Sequence, residues 1–108
     1  MRILFDHNTP GPLARALRPH EVTFAAELKW HRLRNGALLD AAENTGFDLL
    51  LTCDQNYEYQ QNLRGRTLAI VILSSNRWPL VKPWLSQIAT AVEFARKGQI
   101  TRIDLRQL

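Results

Sequence analysis

Two near-continuous apolar runs constrain the fold of this chain more than any other feature of its sequence. They are "DLLLT" at 48–52 and "TLAIVIL" at 67–73. Strands that are apolar at almost every position are typical of a parallel sheet covered on both faces, whereas a strand with one solvated face alternates apolar and polar residues. Both runs are far too short to span a bilayer. We therefore predict a central, mostly parallel sheet with helices on both sides.

The segments around these runs alternate between strand and helix signals. Further strands are predicted for "RILF", "EVTFA" and, at an edge of the sheet, "ITRIDL". Helices are predicted for "TPGPLARALRP", for "GALLDAAENTG", which Asn35 can cap and Gly46 can end, and for "WPLVKPWLSQIATAVEFARKG", which ends at Gly98. This order predicts a three-layer α/β/α sandwich, and a chain of 108 residues suits one domain, residues 1–108.

The composition indicates a globular protein of a reducing compartment. Hydrophobic residues make up 45% of the chain, which is enough for a single core. The lone cysteine, Cys53, cannot form an internal disulfide, and its place in a strand favours a small core residue over a nucleophile. The segment "MRILFDHN" lacks the apolar stretch and cleavage site of a signal peptide. We therefore expect a cytoplasmic protein that does not associate with a membrane.

The chain is basic, with 14 Lys and Arg residues against 10 Asp and Glu residues and a net charge of +4. This balance is compatible with a polyanionic partner and equally with ordinary solubility. The arginines cluster in two predicted loops, which is where contacts to ligands are usually made. The candidates for binding a nucleic-acid backbone are Arg32, Arg34, Arg64 and Arg66.

Two of the predicted strands end on an acid, Asp6 after "RILF" and Asp54 after "DLLLT". Ligands of parallel sheets bind outside the carboxyl ends of the strands, so both carboxylates could face one crevice. A divalent cation such as Mg²⁺ or Mn²⁺ would remove the repulsion between them and would suit phosphodiester cleavage. The alternative is that each acid caps the helix that follows it. The spacing alone leaves both interpretations open.

A third acid would strengthen the prediction of a metal site. Asp40 and Glu43 share one face of the predicted central helix and are the candidates, although either could be a solvated surface acid. Ser74 and Ser75 follow a buried strand and could bind phosphate or cap the next helix. His7 could contact a phosphate or carry a proton, or it could be an ordinary loop histidine.

The motifs at the strand ends resemble those of a small PIN-like family, known mainly as a domain of unknown function and grouped with the VapC-type toxin nucleases. The most specific parts are Asp6-His7-Asn8 and the block Thr52-Cys53-Asp54-Gln55-Asn56, and the resemblance extends from Met1 to about Val92. It implies a PIN-like α/β/α sandwich and RNA cleavage that depends on Mg²⁺ or Mn²⁺. It also implies the toxin half of a toxin–antitoxin pair, with an antitoxin protein as partner, and is compatible with a homodimer.

By this resemblance, Asp6 and Asp54 match the first and the later acid of the family and would hold the metal. Asn56 stands where many relatives carry a further acid. Asn8 and Asn56 would orient water or substrate. Together with the arginines named above, these residues would form a ribonuclease site.

The middle acid of the family falls at the start of the central helix, where this chain reads Asn35-Gly36-Ala37. Asp40 or Glu43 would therefore have to complete the acidic cluster. The departure from the family pattern motivates a second hypothesis, a catalytically inactive PIN-like module that binds RNA or a partner protein. A third hypothesis is a structural interaction domain in which the strand-end acids only cap helices.

Overall fold

A computed structural model describes residues 1–55, 63 and 65–106 of the chain. These residues form a five-stranded sheet in which every pair of neighbouring strands is parallel, in the order β2-β1-β3-β4-β5. The strands are β1 Arg2–Phe5, β2 Glu21–Phe24, β3 Leu49–Thr52, β4 Ala69–Leu73 and β5 Ile100–Ile103. The prediction of a parallel α/β sheet is confirmed, and so is the edge position of the last strand.

Helices connect the strands within the described residues. They are α1 Leu13–Ala16, a 3₁₀ turn at Ala25–Leu28, α2 Asn35–Thr45, α3 Trp78–Val81, a 3₁₀ turn at Lys82–Trp84 and α4 Leu85–Phe94. Every helix in this part of the chain falls short of the length and apolar character that crossing a membrane requires.

The sheet is covered on both faces because its side chains alternate between them. Ile3 and Phe5 belong to one apolar cluster and Leu4 to the other. The first cluster includes residues of α1, α3 and α4, namely Leu13, Val81, Ile88 and Val92. The second includes residues of α2, namely Leu38, Leu39 and Ala42. The structure is thus compatible with the predicted three-layer α/β/α sandwich.

The predicted C-terminal helix differs from the structure in its continuity and its end. A 3₁₀ turn interrupts it at Pro83, because proline has no N–H to continue an α-helical hydrogen-bond ladder. The last helix ends at Phe94, since the next residue, Ala95, has an extended backbone with φ −63° and ψ 141°. Gly98, predicted as the helix end, instead takes a left-handed φ of 73° in the turn that leads into β5.

The central helix α2 also begins differently from the prediction. Asn35 does not cap it: the preceding residue, Arg34, occupies the cap position and makes no side-chain capping bond. Asn35 itself has a φ of 50°, a left-handed conformation that asparagine tolerates better than most residues. The predicted end at Gly46 is confirmed, and its φ of 90° explains the choice of glycine.

The strand register determines which loops meet at the carboxyl edge of the sheet. Phe5 pairs with Leu51, and Thr52 pairs with Ile72. The residues that follow β1, β3 and β4 therefore emerge side by side at this edge. This is the edge at which parallel sheets bind ligands.

Candidate functional site

A cleft of about 480 Å³, here called the first cleft, opens at the carboxyl edge of the sheet. Four loops line it: those after β1, before α2, after β3 and after β4. The lining residues are Asp6, His7, Asn8, Leu33, Arg34, Cys53, Asp54, Gln55, Ser74, Ser75, Asn76 and Arg77. Asp6 and Asp54, predicted to share a crevice, both lie in it.

Asp6 is held in place by the strands on which the cleft is built. Its N–H donates to the carbonyl of Leu51 at 3.0 Å, which extends the pairing of β1 with β3. Its Oδ1 accepts from the backbone N–H of His7 at 2.7 Å, and its Oδ2 accepts from the Thr52 hydroxyl at 2.8 Å. Helix α1 has no side-chain cap. The helix-capping interpretation therefore does not hold for Asp6 and α1.

The Thr52 hydroxyl connects the two acidic loops. Thr52 is fully buried at the end of β3, where its Oγ1 donates to Asp6 and accepts from the backbone N–H of Asp54 at 3.0 Å. Buried hydroxyls are almost always hydrogen-bonded, and here both partners belong to cleft residues. The sequence motifs predicted no such role for Thr52. The signal that could have found it is a polar residue at the last position of an otherwise apolar strand.

Gln55 braces the loop that carries Asp54. Its side-chain Nε2 donates to the carbonyls of Cys53 and Leu73, at 2.9 and 2.7 Å. In return, the guanidinium of Arg102 on β5 donates to the Oε1 and to the backbone carbonyl of Gln55, both at 2.8 Å. Residues 53–55, which follow β3, are thereby fixed against β4 and β5. The segment that Asp54 would cap as a helix lies outside the described residues.

Cys53 faces the cleft as a thiol. It is half-buried, and its Sγ donates to the carbonyl of Ser75 at 3.6 Å. Burial raises the pKa of the thiol to about 11, with a further contribution from the negative charge of Asp6. Nucleophilic cysteines need a lowered pKa, so this residue is unsuited to attack a substrate at neutral pH.

His7 and Asn8 contribute polar groups from the loop after β1. The Nε2 of His7 lies 3.2 Å from the carbonyl oxygen of Trp30. Because a carbonyl oxygen can only accept, this contact requires a proton on Nε2, and in the neutral ring with that tautomer Nδ1 is an acceptor. Asn8 is exposed and has a left-handed φ of 65°, which the tight turn after β1 requires.

Two guanidinium groups line the first cleft together with the two carboxylates. Arg34 was predicted to bind a nucleic acid, whereas Arg77 was missed because it stands alone in "SSNRWP", outside the arginine clusters. The predicted Arg32 is exposed but does not line the cleft. The predicted Arg64 and Asn56 lie outside the described residues.

Asp40 and Glu43 do not line the first cleft, and their carboxylates have other partners. Arg66 donates through Nη1 to Asp40 Oδ1 at 2.8 Å and to Glu43 Oε1. Thr67 donates to Glu43 Oε2 through its N–H at 2.6 Å and through its hydroxyl at 3.0 Å. Arg66, predicted to bind a nucleic acid, is thus engaged in an ion cluster with α2.

The placement of this ion cluster follows from the direction of α2. The helix starts beside the cleft and runs back towards the amino edge of the sheet, so Asp40 and Glu43 lie about 8 and 12 Å along its axis from Asn35. Burial alone would raise the pKa of Glu43, but the hydrogen bonds from Thr67 and Arg66 outweigh it and lower the pKa. These contacts attach α2 to the segment before β4.

The oxygen ligands in the first cleft suit a hard divalent cation in their chemistry. Asp6 and Asp54 offer carboxylates and Asn8 offers an amide oxygen, the ligand types that Mg²⁺ and Mn²⁺ prefer. Within residues 1–55, 63 and 65–106, no group of three or more His, Cys, Asp or Glu side chains is arranged to hold a metal ion. A cation at this site would therefore keep several of its waters, as Mg²⁺ usually does.

Comparison with known proteins identifies no relative of this chain. No protein-family model matches the chain, and no curated protein or solved structure shows significant similarity to it.

Proposed function

We propose that this chain is a small PIN-like endoribonuclease that depends on Mg²⁺ or Mn²⁺. One observation carries the proposal: Asp6 and Asp54, which are far apart in the sequence, line one cleft and are joined through the Thr52 hydroxyl. Their position at the carboxyl edge of a parallel sheet is the usual place for a ligand site. The resemblance of the two acidic motifs to the PIN-like family supports the same activity.

The cleft offers a role for each of its polar groups. Asp6 and Asp54 would hold the cation, with Asn8 as a further oxygen ligand or as a group that orients substrate. A divalent cation supplies Lewis-acid activation of water and neutralises charge on a phosphodiester. Arg34 and Arg77 would bind phosphate oxygens through charge-assisted hydrogen bonds. The Nδ1 atom of His7 provides a proton acceptor in the cleft.

The cellular role in this proposal is that of a toxin. RNA would be the substrate, an antitoxin protein the partner and a homodimer the assembly. The resemblance alone supports these three points, while the single Cys53 supports a cytoplasmic location.

A second candidate function is a catalytically inactive PIN-like module that binds RNA. The placement of the acids favours it, because among the described residues only the carboxylates of Asp6 and Asp54 line the first cleft. Asp40 and Glu43 are instead bound to Arg66. Two carboxylates hold a cation more weakly than three, and such a module would keep its affinity for RNA without any metal.

The test is cleavage of a structured RNA by the purified protein with Mn²⁺ and with EDTA, using Asp54→Asn and Asp40→Asn as a matched pair. Both variants lose one carboxylate, but the Asp40 side chain is 66% exposed and binds Arg66 away from the cleft. We expect cleavage that requires Mn²⁺, a loss of at least about a hundredfold in Asp54→Asn and no loss in Asp40→Asn.

The other outcomes distinguish the candidates. RNA binding that survives both EDTA and Asp54→Asn, without cleavage, would favour the inactive module. Cleavage that persists undiminished in Asp54→Asn would place the active site elsewhere and would end the proposal.

A further inference from the structure

A second cleft of about 580 Å³ lies beside the first, at the carboxyl ends of β4 and β5. Gln55, Ser74 and Ser75 line both clefts, so the two share a wall. The second cleft is also lined by Arg106 and by Arg102, whose guanidinium contacts Gln55 in the shared wall. The two clefts are therefore neighbours along the carboxyl edge of the sheet, and together they are called the depression here.

The shared wall presents hydroxyl groups to anything that crosses it. The Oγ of Ser74 accepts from the backbone N–H of Leu105 at 2.8 Å, and the Oγ of Ser75 accepts from that of Arg77 at 3.1 Å. A hydroxyl that accepts such a bond retains its own proton for donation. Ser74 is exposed and Ser75 is half-buried, so both positions border the open depression. Neutral O–H donors of this kind suit phosphate oxygens.

The second cleft also adds positive charge to the depression. In the first cleft two guanidinium groups face two carboxylates, whereas in the second Arg102 and Arg106 face one carboxylate, that of Asp104. The Nε of Arg106 lies 2.9 Å from Asp104 Oδ2, but the Arg106 side chain is 87% exposed. Exposed ion pairs are worth little, so this arginine can exchange a carboxylate for a phosphate at small cost.

We propose that the second cleft binds the sugar–phosphate backbone of a single-stranded nucleic acid, which crosses the wall of Ser74 and Ser75 from the first cleft. The inference rests on the proposed function, because it takes the first cleft as the place where an RNA strand is cut. Two concave sites in series, with hydroxyl donors between them and an excess of guanidinium at one end, match a flexible polyanion. A small anion would occupy one cleft only and would not cross the wall of Ser74 and Ser75.

The test measures the affinity of fluorescein-labelled single-stranded RNA by anisotropy, in EDTA and at several salt concentrations. A dinucleotide is compared with an octanucleotide, and Arg106→Gln is compared with Arg18→Gln. Arg18 is likewise an exposed arginine, and it precedes β2 at the opposite, amino edge of the sheet. Arg106→Gln should weaken octanucleotide binding severalfold. It should also make the dependence of log affinity on log salt shallower, reducing the magnitude of the slope by about 1. The affinity of Arg106→Gln for the dinucleotide should equal that of wild type, and so should the affinity of Arg18→Gln for the octanucleotide.

Several results would overturn this subsite. One is that Arg106→Gln and Arg18→Gln change octanucleotide affinity equally, or that neither changes it. Another is that the protein does not bind the octanucleotide. A third is that a polyglutamate peptide binds as tightly as the octanucleotide and loses as much affinity in Arg106→Gln. The cleavage assay tests the nuclease proposal separately. If the protein binds the octanucleotide through Arg106 but does not cleave RNA, the nuclease proposal is refuted and the proposed subsite stands. If the protein cleaves RNA and Arg106→Gln does not change octanucleotide affinity, the subsite is refuted and the nuclease proposal stands.

Discussion

The Thr52 hydroxyl gives the most direct test of the cleft geometry, because it joins Asp6 to the backbone of Asp54. Thr52→Val keeps the shape of the side chain and removes both its donor and its acceptor. The carboxylate of Asp6 then loses a hydrogen bond, and the N–H of Asp54 loses its acceptor. Since Thr52 is fully buried at the end of β3, no water can simply take the place of its hydroxyl.

The expected loss of stability follows from the two bonds. A hydrogen bond to a charged group contributes about 1.5–3 kcal/mol and one between neutral groups about 1 kcal/mol. Asp6 is only half-buried and lines an open cleft, so water can partly solvate its carboxylate after the substitution. We therefore expect a total loss of about 2 kcal/mol in the free energy of unfolding. For a domain of this size, that corresponds to a fall of about 8 °C in the melting temperature.

Urea denaturation and thermal melting at neutral pH would measure this loss, with Thr101→Val as the matched control. Thr101 is half-buried on β5, two strands away from Thr52. A loss in Thr52→Val no greater than in Thr101→Val would refute the bridging role of the hydroxyl. In an Asp6→Ala background the cost of Thr52→Val should shrink by about 1 kcal/mol, because one of the two bonds is already absent. An unchanged cost would contradict the bond to Asp6.

Two further predictions concern protonation. The pKa of Glu43 is lowered by Thr67 and Arg66 despite burial, so its stabilising contribution is complete above the unfolded pKa of about 4.3 and is lost as the pH falls through the lower folded value. The melting temperature should therefore fall less steeply between about pH 5 and 3 in Glu43→Gln than in wild type; parallel curves would argue against the ion cluster. With a pKa of about 11, Cys53 should react with iodoacetamide at pH 8 about a hundredfold more slowly than free cysteine. Asp6→Asn removes one cause of that pKa and should accelerate the alkylation seen by mass spectrometry, whereas an unaltered rate would exclude the influence of Asp6.

The parallel sheet could be predicted because its central strands carry the signal in nearly every residue. All four residues of β3 and all five of β4 are buried, which the apolar runs had indicated. The C-terminal helix was harder, since apolar residues keep helical spacing through Pro83 although the backbone ladder cannot. Spacing reports which side chains share a face and does not report whether the hydrogen bonds between turns are intact.

The candidate site was predictable only where a residue directly follows a strand. Asp6 and Asp54 lie at the carboxyl edge as expected, because the end of the preceding strand determines the position of each residue along the strand direction. Asp40 and Glu43 were assigned by helical periodicity, which defines a face of α2 but not a distance from the cleft. Arg102 reaches Gln55 only because β5 pairs with β4 in one particular register, and no local pattern in the sequence encodes that register.

The pairing of β1 with β3 has a consequence for how occupancy of the cleft could be observed. These neighbouring strands are separated in the chain by β2 and α2, so the loops that carry Asp6 and Asp54 meet only when the sheet is assembled. Any ligand that contacts both loops binds the native chain and not the unfolded one, and it stabilises the whole domain in proportion to the logarithm of its concentration. Resistance to a protease would then report binding even for a ligand that is never turned over.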